Sequence, residues 1–184
     1  MKNHTYFSSL GEHYSQLLGL VSPWTISDID FNVEKATLDI HVVEEGGGGC
    51  PCPECGAASK GYDHAPTRRW RHLDTMQFTT QIIARLPRIS CLEHGVKTIA
   101  VPWADGNARW TLLFEAFAIE VLLGTSNITR AMVLLGIGWD SAQAIRERAV
   151  ERRFARRRKE ETIPYVGIDE KSFLKRQKEN ALAN

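Results

Sequence analysis

Two short segments limit what this chain can fold into: Cys52-Pro53-Glu54-Cys55 and Cys91-Leu92-Glu93-His94. Each sets two metal-binding donors two residues apart, and each runs directly into a glycine, Gly56 or Gly95. A tight turn with that spacing can aim both donors at one ion, and Zn²⁺ takes four such sulfur or nitrogen donors in a tetrahedron. Glycine relieves the backbone where the turn closes. The pattern occurs twice in 184 residues, so a structural zinc site on Cys52, Cys55, Cys91 and His94 is the expected use of these residues. A metal used this way points to recognition of nucleic acid or protein rather than to small-molecule metabolism.

Two other uses compete with this one. Four cysteines could form two disulfides in a secreted chain. Residues 1–30, however, lack the basic start and apolar block of a secretory leader, so a reducing cytosol is expected, where thiols serve metals or catalysis. A catalytic zinc keeps an open position, and no helical histidine-glutamate motif is present to build one. Cys50 stands too close to Cys52 for a knuckle and reads as a spare thiol or as a substitute for Cys52. His94 enters through its two-residue distance from Cys91.

The hydrophobic content of 43% and charged content of 24% are those of a globular chain. No apolar run approaches the ~20 residues needed to span a bilayer, so no membrane role is expected. The net charge of +1 hides a strong asymmetry. Residues 1–55 carry two lysines against eight acids, a balance of −6, whereas residues 130–159 carry eight arginines and one lysine against three acids, a balance of +6. Such a segment is expected to meet a polyanion.

Local patterns divide the chain. Apolar spacing predicts a short helix over 5–20. Alternation over 24–31 and 37–43 around an Asn32–Lys35 turn predicts a β-hairpin. Gly46 to Gly49 read as a flexible link, and 77–86 as a further strand leading through Pro87 into the second knuckle. Pro102 and Asp105-Gly106-Asn107 read as a linker. Beyond it, 110–123 is a dense apolar helix stopped by Gly124. A second helix is expected after a Thr125 or Ser126 cap. After Gly136-Ile137-Gly138 comes a third, capped by Asp140 or Ser141 and carrying Ala142, Ile145, Ala149, Val150 and Phe154. Short helix, glycine turn and longer helix are the helix-turn-helix arrangement. Its basic end contains Arg146, Arg148, Arg152, Arg153, Arg156, Arg157, Arg158 and Lys159. Ser141, Gln143, Ala144 and Arg146 are expected nearest base edges, and Arg152, Arg153, Arg156 and Arg157 on phosphates. A solvated charged helix face is the plainer alternative. Residues 163–169 form an apolar run ending in a carboxylate, Asp169, the kind of residue that a Mg²⁺ nuclease site uses.

These stretches together resemble the ISL-three family of bacterial insertion-sequence transposases. The resemblance is carried by Cys52-Pro-Glu-Cys-Gly56, Cys91-Leu-Glu-His-Gly-Val96, Val101-Pro-Trp103, Leu134-Leu-Gly-Ile-Gly-Trp-Asp140 and Tyr165-Val-Gly-Ile-Asp-Glu-Lys-Ser-Phe173. It implies an α+β multi-domain chain. An N-terminal helix and hairpin (1–48) would precede a β-rich zinc ribbon (49–103), an all-α helix-turn-helix (108–160) and the first strand of an incomplete RNase H-like catalytic domain (161–184). Asp169 would match the first acid of the catalytic triad, with Mg²⁺ bound only in an intact member. After Asp169 the only acids are Glu170 and Glu179, so a truncated or frameshifted copy is expected, binding DNA without cutting it. The implied partners are double-stranded DNA at element ends and a second copy of the chain; the implied location is the bacterial cytoplasm, at the nucleoid. A stand-alone zinc-dependent DNA-binding regulator is the alternative, and a zinc-stabilised protein-interaction module the blander one.

Overall fold

The computed structural model describes residues 4–46, 50–125 and 127–156. Among them are four helices and two small sheets, a mixed α+β chain. Helix α1 (His4–Leu17) precedes β1 (Trp24–Asn32) and β2 (Thr37–Glu44), which pair antiparallel as the alternation predicts. In β2, Leu38, Ile40 and Val42 point inward with almost no exposure, the period of two that a half-buried strand requires. A bulge between Ile26 and Asp28 shifts the register, and Ser27 donates its hydroxyl proton to the His41 carbonyl (3.3 Å).

The chain then alternates between sheets. Strand β3 (Lys60–His64) belongs to the smaller sheet, while β4 (Arg68–Arg71) and β5 (Thr79–Ala84) return to the larger one. Strand β6 (Pro87–Cys91) and β7 (Gly95–Thr98) complete the order β3-β6-β7. The larger sheet has the order β1-β2-β5-β4, and β5 runs parallel to β2, with Ile40 opposite Ile82. The hairpin and ribbon expected on either side of residue 48 therefore share one sheet. Between the layers lies a tryptophan core. The Trp103 ring meets Trp24 edge-on at 4.9 Å and Trp70 at 5.7 Å, with Ile40, Ile82, Leu86 and Ile89 around them. Large apolar areas and edge-to-face rings make such aromatic clusters strong anchors.

Residues 102–107, expected as a linker, belong to a packed connector that runs on to Thr111. Trp103, Ala104, Ala108 and Trp110 are buried. Arg71 donates its backbone N–H to the Arg109 carbonyl (2.8 Å), and the Thr111 N–H returns to the Arg71 carbonyl (2.9 Å). Proline, glycine and aspartate signalled a turn, but two indoles supply enough apolar surface to bury the segment.

Helices α2 (Leu112–Gly124), α3 (Ile128–Leu135) and α4 (Trp139–Arg156) follow. Thr111 caps α2, accepting from the Phe114 N–H. Asn127 caps α3 in place of Thr125 or Ser126: its side chain accepts from the N–H groups of Thr129 and Arg130. Asp140 and Ser141, expected as the cap, fall inside the first turn of α4, which opens at Trp139. The helices close on Phe114, Ala118, Leu135 and Ile145, joined by Ala108 and Trp110 from the connector. Arg157, Arg158, Lys159, the strand expected over 163–169 and Asp169 lie outside the described residues.

Candidate metal centre and helical face

Sheet geometry assembles the donor cluster. Cys91 ends β6 and pairs with Gly95 at the start of β7, so Leu92, Glu93 and His94 form the hairpin turn. The other knuckle folds on itself: Cys52 N–H donates to the Ala57 carbonyl (2.9 Å) and Gly56 N–H to the Cys52 carbonyl (2.8 Å). Both closing glycines have positive φ, 72° at Gly56 and 65° at Gly95, a region costly for side chains with a Cβ. An ion pair between Lys97 Nζ and Glu54 Oε1 (3.0 Å) ties one knuckle to the strand beside the other.

The four ligand atoms of Cys52, Cys55, Cys91 and His94 all lie within 4.8 Å of one another. Cys55 Sγ is 3.7 Å from Cys91 Sγ, while His94 Nδ1 is 3.7 Å from Cys91 Sγ and 3.9 Å from Cys52 Sγ. Ligand bonds of about 2.3 Å to sulfur and 2.1 Å to nitrogen give tetrahedral edges of roughly 3.6–3.8 Å, so this donor set fits zinc. A disulfide needs about 2.05 Å between sulfurs, and all four cysteines are free. The backbone N–H of His94, then the His94 ring and the Glu93 N–H, bring the Cys91 thiol down to about 6. At Cys55 the Ala57 N–H acts to lower the thiol, but desolvation and the Cys52 and Cys91 sulfurs outweigh it and raise the group. A dication among the sulfurs reverses that penalty, because it favours every thiolate at once. Cys50 is buried outside the cluster, 3.7 Å from Glu44 Oε1, and burial followed by the Glu44 charge pushes its thiol up.

The helical face is less uniform than its sequence. Ala142 and Ile145 are fully buried, which turns one side of α4 inward. Ser141, Gln143 and Ala144 are half-buried, and Arg146 and Arg153 are exposed. Gln143 donates to Glu147 Oε1 (3.0 Å) and Arg146 reaches Gln143 Oε1 at 3.5 Å. Arg152 lies on the inward side, 2.9 Å from Glu115 Oε1 and 3.1 Å from Asp105 Oδ2. Arg148 joins the same two acids at 3.4 and 3.1 Å. Glu115 is almost completely buried and also accepts from Trp110 Nε1 (2.8 Å). Composition alone did not mark this network, although a single acid at 115 between Phe114 and the apolar run 116–119 was its visible trace. The side chain of Arg156 and all of Arg157 are outside the described residues. No helix among the described residues is long and apolar enough to cross a membrane.

Residues 49–94 match the family described as the zinc-finger of transposase IS204/IS1001/IS1096/IS1165. Over 165 residues the chain is 29% identical to the transposase for insertion sequence element IS1557 of Mycobacterium tuberculosis, in strain CDC 1551 / Oshkosh and equally in strain ATCC 25618 / H37Rv. That match covers 87% of this chain, which spans only 37% of the length of those relatives. No solved structure matches. The chain thus carries at residues 49–94 the zinc ribbon of insertion-sequence transposases, with its Cys₃His cluster, and is related to such transposases along most of its length.

Proposed function

We propose that this chain is a DNA-binding part of an insertion-sequence transposase, in which Cys52, Cys55, Cys91 and His94 hold one structural Zn²⁺ and helices α3 and α4 form a helix-turn-helix. The observation that carries the reading is a cluster of four donors within 4.8 Å of one another, inside a transposase-type zinc ribbon and followed by a short helix, a glycine turn and a longer basic helix. The metal supplies cross-linking rather than chemistry, because four protein donors leave no open position. The first turn of α4 would enter the major groove of duplex DNA, with Gln143 and Arg146 toward base edges and Arg153 on a phosphate. Nucleoid association would follow from that binding. Pairing with a second copy is supported by the exposed Leu113, Phe117 and Leu123 on the outer side of α2.

The family reaction is DNA strand cleavage and transfer, to which Asp169 would contribute the first carboxylate. Such chemistry needs several carboxylates around two ions. Titration of a labelled duplex at several salt concentrations tests the reading. Arg153→Ala should weaken binding to all sequences and reduce the salt slope by about 0.9, the share of one phosphate. An unchanged slope would remove α4 from the interface.

A further inference from the structure

Sequence composition counts Arg148 and Arg152 with the other arginines of α4. Their surroundings separate them. Both guanidinium groups meet Glu115 and Asp105, at distances of 2.9–3.4 Å, so two cations face two anions and the group is locally neutral. The three anchoring segments differ in origin. Glu115 sits in the first turn of α2, Asp105 in the connector, and the arginines one turn apart on α4. Trp110 Nε1 holds the Glu115 carboxylate from the connector side. Glu115 has 1% exposure, whereas Asp105 retains 61% of its side-chain surface.

A buried ion pair adds little net stability over an apolar contact of the same size, but it permits few alternative arrangements of the elements that carry it. The apolar cluster that joins the helices is built on Phe114, Ala118, Leu135 and Ile145, with Ile119, Leu122 and Ala144 packed against it; apolar contact is non-directional, so it fixes the depth of packing better than the rotation of a helix. Two arginines spaced by four residues and converging on one fixed carboxylate define both the rotation and the axial position of the helix.

We propose that Glu115, with Asp105, Arg148 and Arg152, is a positioning clamp that sets the orientation of α4 for sequence-selective DNA binding, and that Arg148 and Arg152 are not phosphate contacts. The inference rests on the DNA reading above. Selectivity depends on placing base-reading side chains within hydrogen-bond geometry, whereas phosphate attraction tolerates displacement. Loosening the clamp therefore lowers preference for the selected site. It also frees guanidinium groups that then add to general, salt-sensitive attraction.

The test uses the full zinc-loaded chain and two probes of about two helical turns each: a duplex selected by the wild-type chain from a randomised pool, and an unrelated duplex. Binding is measured between about 50 and 200 mM salt. Glu115→Gln should cut the ratio of selected to unrelated affinity about tenfold and steepen the salt slope on unrelated DNA by about 0.9 for each arginine released. Asp105→Asn, at an exposed position that should not endanger folding, should change both quantities in the same directions by less. Arg152→Gln should lower the ratio with no flattening of the slope. A slope flattened by about 0.9, as expected for Arg153, would place Arg152 on a phosphate and overturn the clamp. Equal loss of affinity for both probes in Glu115→Gln and Asp105→Asn, with unchanged slope, would reduce Glu115 to a general stability role and overturn it too. Absence of any DNA binding by the wild-type chain would instead overturn the reading on which the clamp rests.

Discussion

Replacing Cys91 with serine should release the metal and melt one segment in particular. Consider residues 50–59, ten residues with no regular strand of their own. Fixing them costs about 1–1.5 kcal/mol each in conformational entropy, or roughly 10–15 kcal/mol. Against this stand the two backbone hydrogen bonds at Cys52 and Gly56, the first of which closes the Pro51–Ala58 bridge, the half-exposed Glu54–Lys97 pair, and the buried Cys50 and Cys52 side chains. At about 1 kcal/mol per hydrogen bond, less for the ion pair and a similar amount for burial of each small cysteine side chain, these reach roughly 4–5 kcal/mol. The deficit of about 6–10 kcal/mol is close to what a structural zinc supplies, about 10–16 kcal/mol. Hydrogen exchange read by mass spectrometry should therefore find 50–59 exchanging at nearly unfolded rates in the Cys91→Ser protein. The β2 and β5 amides, flanking the fully buried Ile40 and Ile82, should stay protected. Slow exchange at Cys52 and Gly56 in that variant would refute the reasoning, because the knuckle would then be held by its own packing.

Cys50→Ser should leave zinc stoichiometry at one per chain and cost about 1 kcal/mol, since the side chain is buried beside Glu44 and outside the donor cluster; metal analysis of the purified variant decides it. Acid should weaken the junction between sheet and α2. Burial, and then the Arg71 charge, depress His72 to about 4, and its Nδ1 lies 2.9 Å from Thr111 Oγ1, the α2 cap. The unfolded chain takes up that proton near the ordinary value of 6.5, so the stabilisation is complete above about 6.5 and is lost as pH falls through about 4. Its size is about 3 kcal/mol, and denaturant midpoints for wild type and His72→Phe should converge across that window.

Much of the site was legible because metal ligation is a local code. Two donors, two spacers and a glycine identify a knuckle without reference to the fold, and the structure brings both knuckles together. Hairpin β1–β2 was equally visible, since each strand alternates and the turn between them is short. Parallel pairing of β2 with β5 was not, because nothing in either strand names a partner 42 residues away. The packing of the connector is hidden because turn-forming residues at 102–107 surround Trp103, and the burial of Trp103 and Trp110 depends on the distant sheet and helices. Charge in the sequence groups Arg152 with its neighbours, and its pairing with Glu115 and Asp105 is invisible there. Which way a helical arginine faces depends on where the buried stripe runs, and the buried partner, Glu115, lies 37 residues earlier in the chain.

The interleaving of the two sheets also bears on the order of folding. Val42 of β2 and Ala84 of β5 are separated by 42 residues, and closing a loop of that length delays parallel pairing. Ten residues lead from Val42 to Cys52, and seven lead from Ala84 to Cys91. An ion gripped by both knuckles before the sheet forms would shorten the search to the equivalent of about 17 residues. By the logarithmic law for loop closure this is worth about 0.8 kcal/mol, or roughly a fourfold gain in the rate at which the parallel strands meet. An ion held that early would speed assembly of the neighbouring sheet as well as fix the finished ribbon, so chains made in zinc-poor conditions should spend longer with the Ile40 and Ile82 strands unpaired.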